Sequence, residues 1–290
     1  MRNCIPRPTQ AIRTRARECN SVVQTLRGLP SGGHHTYILS MNIIVCVSHV
    51  PDTTTRITVA SDGKSADSAG VKFILNPYDE FAVEEALRLR DKHKGEVTVV
   101  SLGSPAVKDA IRQALAMGAD KGVLVQGEKS DSFQVAEMLA AAIKPLNPNL
   151  ILMGKQSIDF DGMEIAPMLS ELLSLPAATV VVGLTIEGNK ATAEKEVEGG
   201  REMIELTMPC IIAAQKGLNE PRYPSLPNIM KAKQKPIQEV AGAPSAARTQ
   251  VVQMVKPDKA RAHKLVKVDG DAGAAARELA RLLHEEAKVI

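Results

Sequence analysis

The chain has 290 residues and a mass of 31.1 kDa, and 44% of its residues are hydrophobic and 24% are charged. This composition excludes disordered and collagen-like chains, and the length suffices for one large or two modest domains with a core of their own. No apolar run approaches the roughly 18 residues that cross a bilayer, so direct membrane insertion is not expected. Tryptophan is absent, with three Tyr and four Phe, which leaves few stacking platforms and argues against nucleic acid as the main partner.

The cysteines predict neither a disulfide framework nor a metal site. They lie far apart, without a CxxC pair or a histidine at ligand spacing. They are Cys4, Cys19, Cys46 and Cys210. The histidines likewise have no apparent nucleophile or carboxylate partner, so the sequence predicts no catalytic residues.

Residues 1–40 form an N-terminal extension that differs in composition from the rest of the chain. They contain six Arg against one Glu and hold no helical or strand periodicity. An Arg-rich, Ser-rich segment poor in acids is typical of a transit peptide, which would place the protein in the mitochondrial matrix. The composition break at Met41 favours an over-long gene model instead, with a cytoplasmic protein if the source is bacterial. Under either interpretation we expect the extension to lie outside the fold.

The body of the chain alternates strand-like and helical segments. The strand-like runs are Asn42–Ser48, Glu96–Ser101, Lys121–Gln126, Leu150–Met153 and Ala177–Val182. Helical spacing occupies Pro105–Met117 and the segment after Gly162. Apolar strands joined by helices predict an α/β fold with a parallel sheet buried on both faces. Such sheets bind ligands beyond the carboxyl ends of their strands.

Two hairpins are expected in addition to the parallel sheet. The first pairs residues 56–60 with residues 71–75 around a turn at Asp62-Gly63. The second pairs residues 190–197 with residues 201–206 around Gly199-Gly200.

Two loops carry groups that suit a nucleotide, although GxGxxG and Walker motifs are missing. Asn76-Pro77-Tyr78-Asp79 begins a helix, where a helix cap at Asn76 is favoured over nucleotide binding to the free N–H groups. The loop from Gly154 to Gly162 has glycines at both ends, a lysine, amide and hydroxyl donors, and a helix after it. A phosphate cradle and an ordinary polar loop both remain open there.

The segment from Leu218 to Lys233 is stiffened by three prolines and exposes Leu226 between Ser225 and Pro227, with no periodic helix or strand to bury it. From the residues alone, a solvated surface loop is favoured. The alternative is a docking anchor, since stiffness lowers the ordering cost of binding. Basic side chains could then steer acidic partners, namely Arg222, Lys231, Lys233 and Lys235.

The same segment, LNEPRYPSLPNIMKAK, resembles the partner-recognition loop of the electron transfer flavoprotein (ETF) β subunit. The resemblance covers residues 41–240 in order. It includes residues 193–206 with Pro209, which look like the family's signature hairpin. The other matching motifs are Asn76–Asp79, Ala114–Asp120 and Gly154–Gln156.

The resemblance implies a heterodimer that carries electrons and is not a stand-alone enzyme. The redox FAD would be bound mainly by the ETF α subunit. This chain would bind a structural AMP and help to enclose the FAD, with Tyr78 near the flavin. Acyl-CoA and related dehydrogenases of fatty acid oxidation would deliver electrons, which pass on to ETF-quinone oxidoreductase.

The resemblance also implies domains and site residues by position. Residues 41–235 would form a Rossmann-like, adenine nucleotide-binding α/β domain with an added β-hairpin and with the recognition loop at 216–235. Residues 236–290 would form an extended C-terminal arm that contacts the partner subunit. The AMP site would comprise Cys46, Asn76, Pro77, Tyr78, Asp79, Leu102, Gly154, Lys155, Gln156, Ser157, Ile158, Asp159, Phe160, Asp161, Gly162, Met163, Glu164 and Ile165. Partner recognition would involve Arg222, Tyr223, Leu226, Pro227, Ile229, Met230 and Lys231.

Two alternative functions remain. Some family members bind a second FAD in place of AMP and bifurcate electrons, and their loop typically reads D-G-D-T. Here the stretch is Asp159-Phe160-Asp161-Gly162, with a bulky side chain where glycine is expected, which favours AMP. A stand-alone nucleotide sensor resembling universal stress proteins would have no use for residues 218–235.

Overall fold

The computed structural model describes residues 40–128, 131–243, 245–256, 264–267 and 270–290. The predicted N-terminal extension therefore lies, apart from Ser40, outside the described residues. The strands are β1 (Asn42–Cys46), β2 (His49–Pro51), β3 (Phe73–Leu75), β4 (Glu96–Gly103), β5 (Lys121–Gln126), β6 (Leu150–Gly154), β7 (Ala177–Glu187), β8 (Lys190–Val197), β9 (Gly200–Thr207), β10 (Cys210–Ala214) and β11 (Ile237–Ala241).

Helices alternate with the strands of the body. They are α1 (Pro77–His93), α2 (Lys108–Met117), α3 (Ser132–Ile143), α4 (Ile165–Leu173), α5 (Leu226–Ala232) and α6 (Ala272–Glu285). The predicted helix at Pro105–Met117 is confirmed, with its first turn, Pro105–Val107, wound as a 3₁₀ helix.

A nine-stranded sheet in the order β11-β5-β4-β1-β6-β10-β7-β8-β9 organises the fold. The seven strands from β11 to β7 run parallel, and β8 and β9 continue the sheet antiparallel. The α/β prediction with a parallel sheet and an added hairpin is confirmed. The edge strand β11 is part of the segment that the sequence assigned to the arm.

Hydrophobic cores cover both faces of the sheet, because its central strands carry apolar side chains on both faces. Ile43 and Val45 of β1 pack with α1 and α2 on one face. Ile44 and Cys46 pack with α3 and α4 on the other. Alternate residues of one strand thus serve two cores.

The order of the strands reverses beside β1. On one side of β1 lie β4 and then β5. On its other side lie β6, then β10 and then β7. Beyond the carboxyl ends of β1 and β6 the loops therefore diverge, and sheets of this kind bind ligands in the crevice at such a point.

One predicted hairpin is confirmed and the other is wrong. β8 and β9 pair as expected, with Val197 opposite Gly200. Residues 71–75 do not pair with residues 56–60, because the Asp62 carboxylate accepts from the backbone N–H groups of Lys64 and Ser65 and closes a tight turn. This turn is bridged at Val59 and Ala66, and β3 pairs with β2 instead.

Candidate functional site

The buried carboxylate of Asp79 joins three parts of the chain at the crevice between β1 and β6. Asp79 is 3% exposed and lies in the first turn of α1. One of its oxygens accepts from the backbone N–H of Ser48, at 2.7 Å, and the other from that of Gly154, at 2.9 Å. Ser48 follows β1 and Gly154 ends β6, so this side chain fixes the start of α1 to the ends of both strands.

Asn76 holds the loop that follows β6, and the helix-cap interpretation of its side chain is wrong. The side chain makes no capping hydrogen bond to α1. Its amide instead donates to the carbonyl of Gln156 at 2.9 Å, and its oxygen accepts from the N–H of Ile158 at 3.3 Å. The residue is fully buried. The polar groups of Asn76 thus bind a loop distant in sequence instead of capping α1, because two partly buried backbone groups need partners there.

Gly154 allows the close approach of α1 to the end of β6. A Cβ atom at this position would lie 2.5 Å from Oδ1 of Asp79 and 2.6 Å from Cβ of Tyr78. Real Cβ atoms do not approach other heavy atoms so closely, so only glycine fits while α1 keeps this position.

The loop between β6 and α4 folds back on itself. Gln156 donates from its side chain to the Asp161 carboxylate at 2.7 Å, and the Asp161 N–H donates to the carbonyl of Ser157 at 2.9 Å. The ammonium of Lys155 lies 5.2 Å from the ring centroid of Tyr78. Phe160 is 80% exposed at the tip.

The structure thus brings most of the candidate nucleotide residues together. Residues 76–79 contact residues 154–158 directly through the hydrogen bonds above. Asp159, Phe160, Met163 and Glu164 are exposed on the outer side of the loop. Cys46 is the last residue of β1 and Leu102 the second last of β4, and both are buried on the sheet face that α3 and α4 cover.

The thiol of Cys46 is a core group and not a nucleophile. Burial, and to a smaller extent the negative charge of Asp79, raise the pKa of Cys46 from 9.0 to about 12. Burial alone raises the pKa of Cys210 to about 11. Both thiols therefore remain protonated at neutral pH. They are unreactive in this form, because the nucleophile is the thiolate.

We expect native Cys46 to react with iodoacetamide at pH 8 about 10³-fold more slowly than an ordinary cysteine, because the thiolate fraction falls tenfold for each unit by which the pKa rises. Below its pKa of about 12, the rate should increase about tenfold for each unit of pH. Peptide mass spectrometry would follow Cys46 alone, with the urea-unfolded chain as the control. Equal labelling of the folded and unfolded chains would contradict the assignment.

The recognition loop presents an apolar surface around α5. Tyr223 is 97% exposed, Leu226 80% and Met230 62%. Leu226 was expected outside any helix, and it is the first residue of α5. That expectation was wrong because Pro227 suits the start of a helix, where its missing N–H is not needed. The exposure of Leu226 nevertheless agrees with an anchor role.

Two of the basic residues expected to steer partners are engaged within the chain. The Arg222 guanidinium pairs with both oxygens of Glu84, at 2.7 and 3.0 Å. The Lys235 ammonium donates to the carbonyls of Leu115 and Ala119, which end α2. Lys231 and Lys233 remain exposed.

Sequence reasoning missed the partners of these residues on α1 and α2. Glu84 and Glu85 are buried on α1, at 3% and 7% exposure. They lie between the buried apolar residues Val83 and Ala86. Consecutive acids at buried positions of a helix indicate hidden partners, since unpaired carboxylates are costly to bury. That pattern could have pointed to a basic side chain elsewhere in the chain.

Within the described ranges no group of histidine, cysteine and carboxylate side chains is arranged to hold a metal ion. No helix in the described part of the chain combines the length and the hydropathy that a bilayer crossing requires.

Comparison with known proteins identifies the family. The model of the electron transfer flavoprotein domain matches residues 65–245. The chain is 40% identical over 261 residues to the electron transfer flavoprotein subunit beta of Bacillus subtilis (strain 168), covering 86% of this chain and all of that relative. It is 36% identical over 252 residues to the Homo sapiens subunit beta, covering 83% and 99%. It is 37% identical over 260 residues to the mitochondrial subunit beta of Oryza sativa subsp. japonica, covering 86% and 100%. The chain belongs to the family of electron transfer flavoprotein β subunits.

Proposed function

We propose that this chain is the β subunit of a heterodimeric electron transfer flavoprotein that binds AMP in the crevice between β1 and β6. The observation that carries this proposal is the linkage of both strand ends to α1 by Asp79, with the following loop held by Asn76. A loop fixed by buried groups keeps its shape without its ligand, and a preorganised site binds with a smaller loss of entropy.

The residues at the crevice fit an adenine nucleotide. Lys155 and Ser157 are half-buried, and the Lys155 ammonium lies over the ring of Tyr78. A cation and a hydroxyl in the loop that leads to α4 suit a phosphate. Cys46 and Leu102, buried near the carboxyl ends of β1 and β4, would lie beneath an adenine ring bound there. Phe160 at the tip favours AMP over a second FAD.

The redox chemistry would come from FAD bound mainly by the α subunit. Tyr78, beside the crevice, would help to enclose that flavin, and the arm beyond β11 would contact the α subunit. This chain would thus bind AMP, help to enclose the flavin and dock the dehydrogenases. The heterodimer would act as an electron carrier rather than as a catalyst. The relatives that match the chain are named as ETF subunits, which supports this division of work.

The recognition loop would dock acyl-CoA and related dehydrogenases, with Leu226 as the anchor. Around it lie the exposed side chains of Tyr223, Ile229 and Met230. Exposed Lys231 would favour encounter with acidic surfaces. Electrons would then pass to ETF-quinone oxidoreductase. A stand-alone sensor function does not agree with membership of this family.

The test is to express the chain with its α subunit, denature the heterodimer with acid, and quantify the released nucleotides by chromatography and mass spectrometry. We expect one AMP and one FAD for each heterodimer. Two FAD without AMP would convert the assignment to a bifurcating subunit. FAD alone would refute the nucleotide site between β1 and β6.

A further inference from the structure

We propose that Glu84 of α1 and Arg112 of α2 are positioning residues that clamp the two ends of the recognition loop and set the orientation of Leu226. This inference rests on the proposed docking function and concerns two residues that lie outside the docking surface. It follows from two separate groups of hydrogen bonds, one at each end of the loop.

The first clamp joins α1 to the beginning of the loop. The side chain of Glu84 is 4% exposed and accepts three hydrogen bonds from Arg222, two from the guanidinium and one from the backbone N–H. Burial opposes ionisation of Glu84, but the hydrogen bonds from Arg222 and Arg88 outweigh it and hold the pKa below its usual value. Glu84 therefore carries its charge at neutral pH and fixes Arg222 by a two-point contact.

A side-chain amide supports this first clamp. The side-chain amide of Asn219 donates to the Glu85 carboxylate and to the carbonyl of Phe81, both at 2.9 Å. Asn219 is 9% exposed, so the chain is already fixed on α1 three residues before Arg222.

The second clamp joins α2 to the end of the loop by a reciprocal exchange. Arg112 of α2 donates to the carbonyls of Ala232 and Lys235, at the end of α5. Lys235 in turn donates to the carbonyls of Leu115 and Ala119, at the end of α2. A cation of α2 thus binds carbonyls at and after the end of α5, and a cation three residues after α5 binds carbonyls at and after the end of α2.

Between the clamps the segment is held by the packing of α5 on α2, and the apolar side chains at its outer surface add nothing to that packing. Ala232 is the buried residue of α5, and Leu226 and Met230 face outward. A helix of seven residues is not stable by itself in water. We therefore attribute the fixed orientation of α5 to the clamps, which would lower the entropy lost when a partner docks.

The experiment compares the Glu84→Gln and Arg112→Gln variants, as heterodimers with the α subunit, with matched controls. Glu80→Gln makes the same change on α1 at a residue that contacts Gln113 and not the loop. Arg90→Gln removes another arginine that donates to a backbone carbonyl at the end of α2, that of Gly118. Hydrogen exchange over residues 218–235 reports the clamp, and electron delivery from an acyl-CoA dehydrogenase gives KM and kcat for the heterodimer.

We expect at least tenfold faster exchange over residues 226–233, a KM increased about tenfold and a kcat changed less than twofold in each clamp variant, with no change in the controls. In a Leu226→Ala background, Glu84→Gln should have no further effect on KM, since both act through the same anchor. Arg112→Lys should restore part of the effect, because it keeps a cation near the carbonyls of α5.

Failure of the clamp and failure of docking give different results. Unchanged exchange over the loop would refute the clamp whatever the kinetics. Faster exchange with an unchanged KM would refute the positioning role. If Leu226→Ala also left KM unchanged, the docking function itself would be wrong. Should Glu84→Gln fail to assemble, Arg112→Gln tests the inference independently at the other end of the loop.

Discussion

Replacing Gly154 with alanine is expected to reduce the AMP recovered from the heterodimer at least tenfold and to lower the free energy of unfolding by about 3 kcal/mol. The added Cβ would lie 2.5 Å from Oδ1 of Asp79 and 2.7 Å from the carbonyl carbon of Tyr78. The second contact is with backbone, so no side-chain rotation relieves it. The first turn of α1 must move away from β6, and Asp79 then loses its hydrogen bond to residue 154.

Gly162→Ala is the matched control for the free energy of unfolding, because it lies in the same loop and a Cβ there would meet no atom within 4 Å. We expect its free energy of unfolding to change by less than about 0.5 kcal/mol. Urea unfolding and acid release of nucleotide measure both variants. A Gly154→Ala protein with full AMP content and an unchanged urea midpoint would show that the contact of α1 with β6 is not what shapes the site.

The parallel sheet could be predicted because each of its central strands is recognisable from its own short sequence. Strand β1 is apolar on both faces, and no solvent-exposed sheet would use such a run. The position of the crevice followed from the same pattern, since ligands collect beyond the carboxyl ends of parallel strands. Short apolar runs, separated by segments with helical spacing, were therefore sufficient to predict most of the fold.

Individual contacts could not be predicted where one residue type serves two purposes. Asn76 has the position of a helix cap, and an asparagine that caps a helix and one that binds a distant loop look the same in sequence. Glu84 meets Arg222 across 138 residues of chain. No local pattern connects them, although a buried acid on α1 shows that some partner must exist.

The prediction of a hairpin between residues 56–60 and 71–75 was wrong for a related reason. The turn at Asp62 was predicted correctly, but the extent of pairing beyond a turn depends on what each strand can bury. Residues 56–58 are exposed, whereas Leu75 is 1% exposed. Burial of the Leu75 side chain therefore favours the pairing of β3 with β2 over its pairing with residues 56–60.

Replacing Leu226 with alanine is expected to raise the KM for the heterodimer in the acyl-CoA dehydrogenase reaction about thirtyfold, the effect of losing an anchor worth about 2 kcal/mol. The side chain is 80% exposed, so the free energy of unfolding should change by less than about 0.5 kcal/mol. AMP and FAD contents should be unchanged, because residue 226 lies outside the nucleotide crevice. Stopped-flow and steady-state reduction of the flavin would measure the effect.

Met203→Ala provides the control, since Met203 is 67% exposed on β9 and lies outside the recognition loop. The dependence on salt separates the anchor from the charges around it. Loss of an apolar contact acts mainly on dissociation, so the ratio of KM values should persist as ionic strength rises. Removal of Lys231, by contrast, should slow association at low salt only. An unchanged KM for Leu226→Ala, or an effect that disappears at high salt, would show that charge and not the exposed leucine holds the dehydrogenase.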